Sequence, residues 1–122
     1  MDPKPIEQEL KTKIPILQMD EEVDMAFQHG RDLFLISNKR VLSIDIKGMI
    51  GKKIKIATFP FRHIKGFTVS SSTILSPAVQ VKLFVSKLEE EWTREIGKRN
   101  LNVFEVNNCL GNKILKHNSN AK

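Results

Sequence analysis

From Val23 to Lys98 the apolar residues recur with a period of two, and turn-forming residues break the pattern at short intervals. Alternate side chains of a strand point to opposite faces, so a chain written this way folds as short antiparallel strands. Val23-Asp24-Met25-Ala26-Phe27 opens the series, with Val23, Met25 and Phe27 expected on one face. Gln28 to Asp32 reads as a tight turn around Gly30. Leu33-Phe34-Leu35-Ile36-Ser37 is continuous and apolar, the mark of a strand buried on both sides. After a turn at Asn38-Lys39-Arg40, Leu42, Ile44 and Ile46 are expected to point one way, and Val41, Ser43, Asp45 and Lys47 the other. Gly48 to Gly51 forms the next turn, and Lys53 to Phe59 the next strand, with Ile54 and Ile56 inward. Pro60 cannot donate to a strand ladder, so a corner is expected there.

Ile64 to Ser70 is a further strand, in which Gly66 suggests a bulge. Ser70 to Pro77 is a loop. Val79, Val81, Leu83 and Val85 line one face of the next strand, opposite Gln80, Lys82, Phe84 and Ser86. Glu89-Glu90-Glu91 is a turn, and Trp92 to Lys98 is the last strand, with Trp92 and Ile96 on the same side.

The period then changes. Val103, Val106, Leu110 and Ile114 follow the spacing of one helix face. Asn102 suits the N-cap, Glu105 stands at N3, and Leu101 and Val106 are placed for a hydrophobic staple. At the other end of the chain, residues 1–22 form an arm in which Ile6 to Lys13 has room for two helical turns. A helix that short persists only when docked. The organisation is an arm at 1–22, one domain at 23–117 and a frayed tail at 118–122.

A 122-residue chain with 40% apolar residues can bury a core of its own. Cys109 is alone, which excludes an internal disulfide, and its place in an apolar helical pattern predicts a buried thiol. No stretch approaches the ~20 apolar residues of a membrane span, and no apolar run follows Met1 as a secretory leader would. A cytoplasmic protein, peripheral at the membrane if it binds lipid, is the expectation.

The net charge of +6 is uneven. Residues 39–65 hold eight basic side chains against Asp45 alone, a net +7, so the rest of the chain carries −1. A local excess of this kind suits an anion-facing surface. The alternative is that lysines blunt exposed strand edges.

Three stretches carry a resemblance. They are Glu22 to Phe27, Arg31 to Phe34 with Ser37-Asn38-Lys39-Arg40-Val41-Leu42, and Asp45 to Lys53 with its Gly-x-x-Gly-Lys-Lys hairpin. Together with Asn102 to Val106 ahead of the closing helix, they resemble the bacterial pleckstrin-homology (PH) family over roughly residues 20–116. The resemblance implies a mainly β (α+β) fold, a two-sheet, seven-stranded, partly open barrel capped by the C-terminal helix, with a short helical arm. It implies no catalysis and no cofactor, and it points to homo-oligomeric, often ring-shaped assemblies of undefined cellular role. Ser70 to Pro77 stands where that family has an acidic connection, and the segment ahead of the closing helix is longer and more charged than in the family.

Two surfaces are candidate sites. Lys47, Lys52, Lys53 and Lys55 surround the Gly48–Gly51 turn, and the PH resemblance would bring His29 and Arg31 to the same end. Clustered lysines attract phosphate and anionic lipid. Against this, the first hairpin lacks the basic signature of phosphoinositide-binding PH domains, and Glu89 to Glu91 would weaken the field. The second candidate is an oligomer interface through Val79, Val81, Leu83 and the outward Phe84, with Ile6, Leu10 and Ile14 of the arm as a second contact. Cover of Phe84 within the monomer is the competing reading.

Other chemistry finds no support. The Gly48–Gly51 turn is flanked by strands, where an RNA-binding KH loop needs helices, so nucleic acid is not expected. The spacing is not that of a phosphate-binding P-loop. His29, His63 and His117 lie in different predicted elements without metal-ligand spacing. Ser70 to Ser72 have no nucleophile context, and Asp20, Glu21, Glu22 and Asp24 read as a charged approach to the first strand. No metal and no small-molecule substrate are expected.

Overall fold

Each alternating stretch becomes a strand, and the strands form two antiparallel sheets. A computed structural model of the chain describes residues 2–48, 53–71, 78–86, 91–98 and 102–119. The elements are α1 (Pro3–Thr12), β1 (Val23–His29), β2 (Asp32–Ser37), β3 (Arg40–Lys47), β4 (Lys53–Pro60), a 3-10 turn (Phe61–His63), β5 (Ile64–Ser71), β6 (Ala78–Val85), β7 (Trp92–Lys98) and α2 (Val103–Ser119). One sheet has the order β1-β2-β3-β4 and the other β5-β6-β7. The chain divides into two units, residues 1–58 and 59–122.

In the first unit α1 begins at an Asp2 N-cap, whose carboxylate accepts from the Lys4 amide at 3.1 Å. It docks on the sheet. Leu10, with Leu17 beyond the helix, closes over Val23, Ala26, Leu35, Leu42 and Ile44. Burial at this scale offsets the weakness of so short a helix. The β1 register shifts between Val23 and Met25. This bulge inserts one residue and reverses the alternation. Val23 and Ala26 therefore share the face under α1, and Met25 and Phe27 do not join Val23 as the pattern predicts. Strand β2 is buried on both faces as expected, from Phe34 through Ser37. Strand β3 is too, against expectation: Val41 is fully buried, and Ser43 and Asp45 are buried as well, with the Ser43 hydroxyl donating to Asp45 Oδ1 at 3.3 Å.

Strand β4 gives the largest departure. Ile54 and Ile56 are 56% and 46% exposed, not inward, and of residues 53–59 only Phe59 is buried. Strand β4 is the edge of its sheet. Alternation identifies which residues share a face; it does not say whether anything covers that face.

In the second unit β6 is the central strand, paired on both sides. Val79, Val81 and Leu83 are fully buried. Gly66 sits at the expected bulge, opposite Phe84, and a Cβ there would lie 3.8 Å from the Phe84 ring. The Phe84 ring is half-buried. Helix α2 is capped by Asn102, which accepts from the amides of Phe104 and Glu105 at 3.0 and 3.3 Å. Val106, Leu110 and Ile114 are buried, and Val103 is half-buried. The helix packs on β5 and on the 3-10 turn that follows Pro60. There the Phe61 ring lies 5.1 Å from the His117 ring. Helix α2 runs to Ser119, so the tail expected from 118 begins inside it. Cys109 is half-buried, not buried, and Leu101 lies outside the described residues.

Candidate functional site

Two short hairpins define one end of the first sheet. His29 pairs with Asp32, leaving Gly30-Arg31 as a two-residue turn, and Gly30 has φ +64°. A two-residue hairpin turn needs such a left-handed position. The Gln28 side-chain amide donates to the Gly30 carbonyl at 3.3 Å. Asp32 Oδ1 accepts from the Ile46 amide at 2.9 Å, tying this turn to the end of β3. Gly48, with φ +89°, starts the next turn at the same end. Antiparallel order therefore brings His29, Arg31, Lys47 and Lys53 together, with Lys55 further down the β4 edge. All five are exposed. Lys52 lies outside the described residues, as do Glu89 and Glu90; Glu91 pairs with Lys82 at 3.2 Å. Among the described residues no ion pair engages Arg31, Lys47, Lys53 or Lys55.

The opposite end of the sheet holds a group that sequence reasoning missed. Glu21 is fully buried. Arg40 donates to both its oxygens, from Nε at 3.0 Å and Nη2 at 2.9 Å. The Ser37 hydroxyl donates to Glu21 Oε2 at 2.6 Å and the Gln18 amide to Oε1 at 3.2 Å. Arg40 also reaches the Ile16 carbonyl and the Thr58 hydroxyl, each at 3.1 Å. Beside it Lys39 pairs with Asp20 at 2.8 Å, and Asn38 accepts from the Glu22 amide. The Ser37-to-Arg40 hairpin is thus a socket for the acids at 20–22. Farther along, Glu7 is buried and accepts from the Val23 amide at 2.7 Å. The readable signal was a run of acids just before the first strand and a basic hairpin after the second. Two of the eight basic residues of the 39–65 segment are therefore neutralised within the fold.

Burial alone would push the Glu21 carboxyl up, but the hydrogen bonds from Arg40 and Ser37 outweigh it and hold it below its ordinary range. A carboxyl depressed in the folded state contributes stability above its unfolded pKa, and that contribution is lost as pH falls through the folded value. The wild-type melting temperature should thus drop as pH falls below about 4.3, the ordinary glutamate value. In Glu21→Gln the drop should be shallower. Parallel curves would contradict the assignment.

On the face of β1–β4 that carries α1 there is a cavity of about 400 Å³. Ile6, Leu10, Ile14, Ile16, Leu33 and Ile54 are among its apolar walls, and Glu9, Gln28 and Arg31 are its polar ones. The arm residues Ile6, Leu10 and Ile14 thus fall together, with Leu10 buried and Ile14 47% exposed. Val79, Val81 and Leu83 are core of the other unit, and their strand has no free edge, so they are withdrawn as an interface. Among the described residues no three His, Cys, Asp or Glu side chains could hold a metal, and no helix is long and apolar enough to cross a membrane.

The sequence profile of the bacterial PH domain matches residues 1–114. The chain belongs to the bacterial PH domain family. This PH domain is similar to the uncharacterised protein YjqA of Bacillus subtilis, 26% identical over 95 residues that span 78% of this chain and 76% of that one. It resembles the crystal structure of a DUF1696 family protein with a PH domain from Shewanella loihica, with a TM-score of 0.78, 26% identity and 93% and 94% of the two chains covered. A PH domain from Shewanella amazonensis gives a TM-score of 0.72 and 29% identity, over 93% and 89%. The fold of this PH domain is therefore the PH-like fold the sequence predicts.

Proposed function

We propose that this bacterial PH domain is a non-catalytic assembly module that builds a homo-oligomer. The observation that carries the reading is the β4 edge. Lys53 to Ile56 are all exposed, and two of these four residues are isoleucines. Apolar side chains on an uncovered edge strand gain burial when a second copy covers them. A ring needs a heterologous contact between two unlike surfaces. The outer side of α2 supplies the second: Phe104 and Leu115 are 76% and 69% exposed. Their separation is about three helical turns, which puts them on one side of the helix.

Sedimentation tests this. Wild type should run well above its 14.0 kDa chain mass at micromolar concentrations. Ile56→Lys and Phe104→Lys should each shift it toward monomer. Mixed together, the two variants should recover a dimer through the one intact pair of surfaces. A monomeric wild type contradicts the proposal.

A second reading is favoured by Arg31, Lys47, Lys53 and Lys55, which lack acid partners among the described residues. It is contact with an anionic lipid surface at the hairpin end. Binding to acidic vesicles should then fall with added salt, because screening shortens the reach of the charges. Lys53→Glu should weaken it further. Equal binding to neutral vesicles rejects it.

A further inference from the structure

We infer that the cavity under α1 is a binding site for a single-chain anionic amphiphile, a fatty carboxylate seated with its chain in the groove and its head at Arg31. Among the described residues the cavity's walls all come from residues 1–58. Its volume of about 400 Å³ falls within the range of small-molecule sites. A methylene occupies about the volume of a water, ~30 Å³, so the space suits about a dozen carbons.

The walls match that ligand along their length. Ile6, Ile14, Ile16, Ile46 and Ile54 give branched, apolar contacts with no polar atoms in their side chains. Such a lining rewards hydrocarbon and penalises a buried polar group. Gln28 and Arg31 come from the first hairpin, where Lys47 and Lys53 also gather. Arg31 is exposed and has no acid partner among the described residues. A guanidinium at the rim of an apolar slot can bind a carboxylate in a two-pronged manner while the chain leaves water. Glu9 is the acid in the lining, and it is exposed on α1. Its charge opposes an anionic head, so the head belongs at the hairpin and not at the helix.

The groove is open. Ile14 and Ile54 are 47% and 56% exposed, so a chain can enter without unfolding the arm. Their exposure also explains why alternation misplaces Ile54. It faces the same side as Ile44 and Ile46, but α1 does not reach far enough to cover it.

The experiment is calorimetric titration of the full chain with dodecanoate below its micelle concentration, beside butyrate and dodecyltrimethylammonium. Dodecanoate should bind one per chain, and the other two should not. Arg31→Glu should weaken binding by about tenfold or more, the weight of one charge-assisted contact. Ile14→Trp, which narrows the mouth at an exposed position, should weaken it similarly, and Glu9→Gln should not weaken it. Both Arg31→Glu and Ile14→Trp should keep the wild-type circular dichroism. No binding of dodecanoate, or equal binding by wild type and Arg31→Glu, overturns the inference. So does a protein that ignores monomeric dodecanoate and binds acidic vesicles, which would assign the hairpin end to a membrane surface. The solution mass is read separately, so failure here leaves the assembly reading standing.

Discussion

Arg40→Met should destabilise the protein by about 3–5 kcal/mol, the cost of leaving a buried charge without its partner. Glu21 has no exposed surface, and Arg40 supplies two of its hydrogen bonds. The same substitution also releases the Ile16 carbonyl and the Thr58 hydroxyl. Denaturant unfolding measures the loss. A double variant, Arg40→Met with Glu21→Gln, should recover part of it, because a neutral amide is cheaper to bury than a carboxylate. A single variant within ~0.5 kcal/mol of wild type, the range of an ordinary surface change, would show that the pair does not hold the arm.

Leu110→Ala should cost about 2–5 kcal/mol, since Leu110 is fully buried on the inner face of α2 and its removal leaves a cavity. Gly111 beside it brings no side chain of its own, and a Cβ there would stand 3.8 Å from the Phe67 ring of β5. Leu115→Ala is the control: its side chain is 69% exposed within the chain, and at concentrations where the chain is monomeric it should shift stability by less than ~0.5 kcal/mol. Equal effects from the two would contradict the helix orientation.

Much of the architecture was legible because strand and helix periods are local properties. The seven strands, the Gly30 turn, the bulge at Gly66, the corner after Pro60 and the Asn102 cap each depend on a few neighbouring residues. What was not legible depends on residues far apart. The bulge after Val23 reversed one face without any glycine or proline to announce it. Asp45 and Ser43 look like an exposed face in sequence and are buried, because burial depends on what lies opposite. Glu21 and Arg40 are 19 residues apart, and a run of surface-like charges gave no hint that two of them close on each other in the core. The gathering of Arg31, Lys47 and Lys53 at one end of the sheet was readable, because each lies next to a turn between neighbouring strands. The apolar groove beside it was only half found: Ile6, Leu10 and Ile14 were read as a contact surface, but Ile54 was placed inside. Phe84 caught attention as an outward aromatic, and its ring is half-buried beside Gly66 across the ladder.

Assembly through the β4 edge has one direct readout, which is amide hydrogen exchange along residues 53–59 at two protein concentrations. At a sheet edge alternate amides face away from the neighbouring strand and exchange quickly unless another chain covers them and excludes water. These β4 amides should gain protection as concentration rises, and Ile56→Lys should abolish the gain while the amides of β2 stay protected throughout. Fast exchange of the outward β4 amides at every concentration, in a wild-type protein that is otherwise folded, would contradict it.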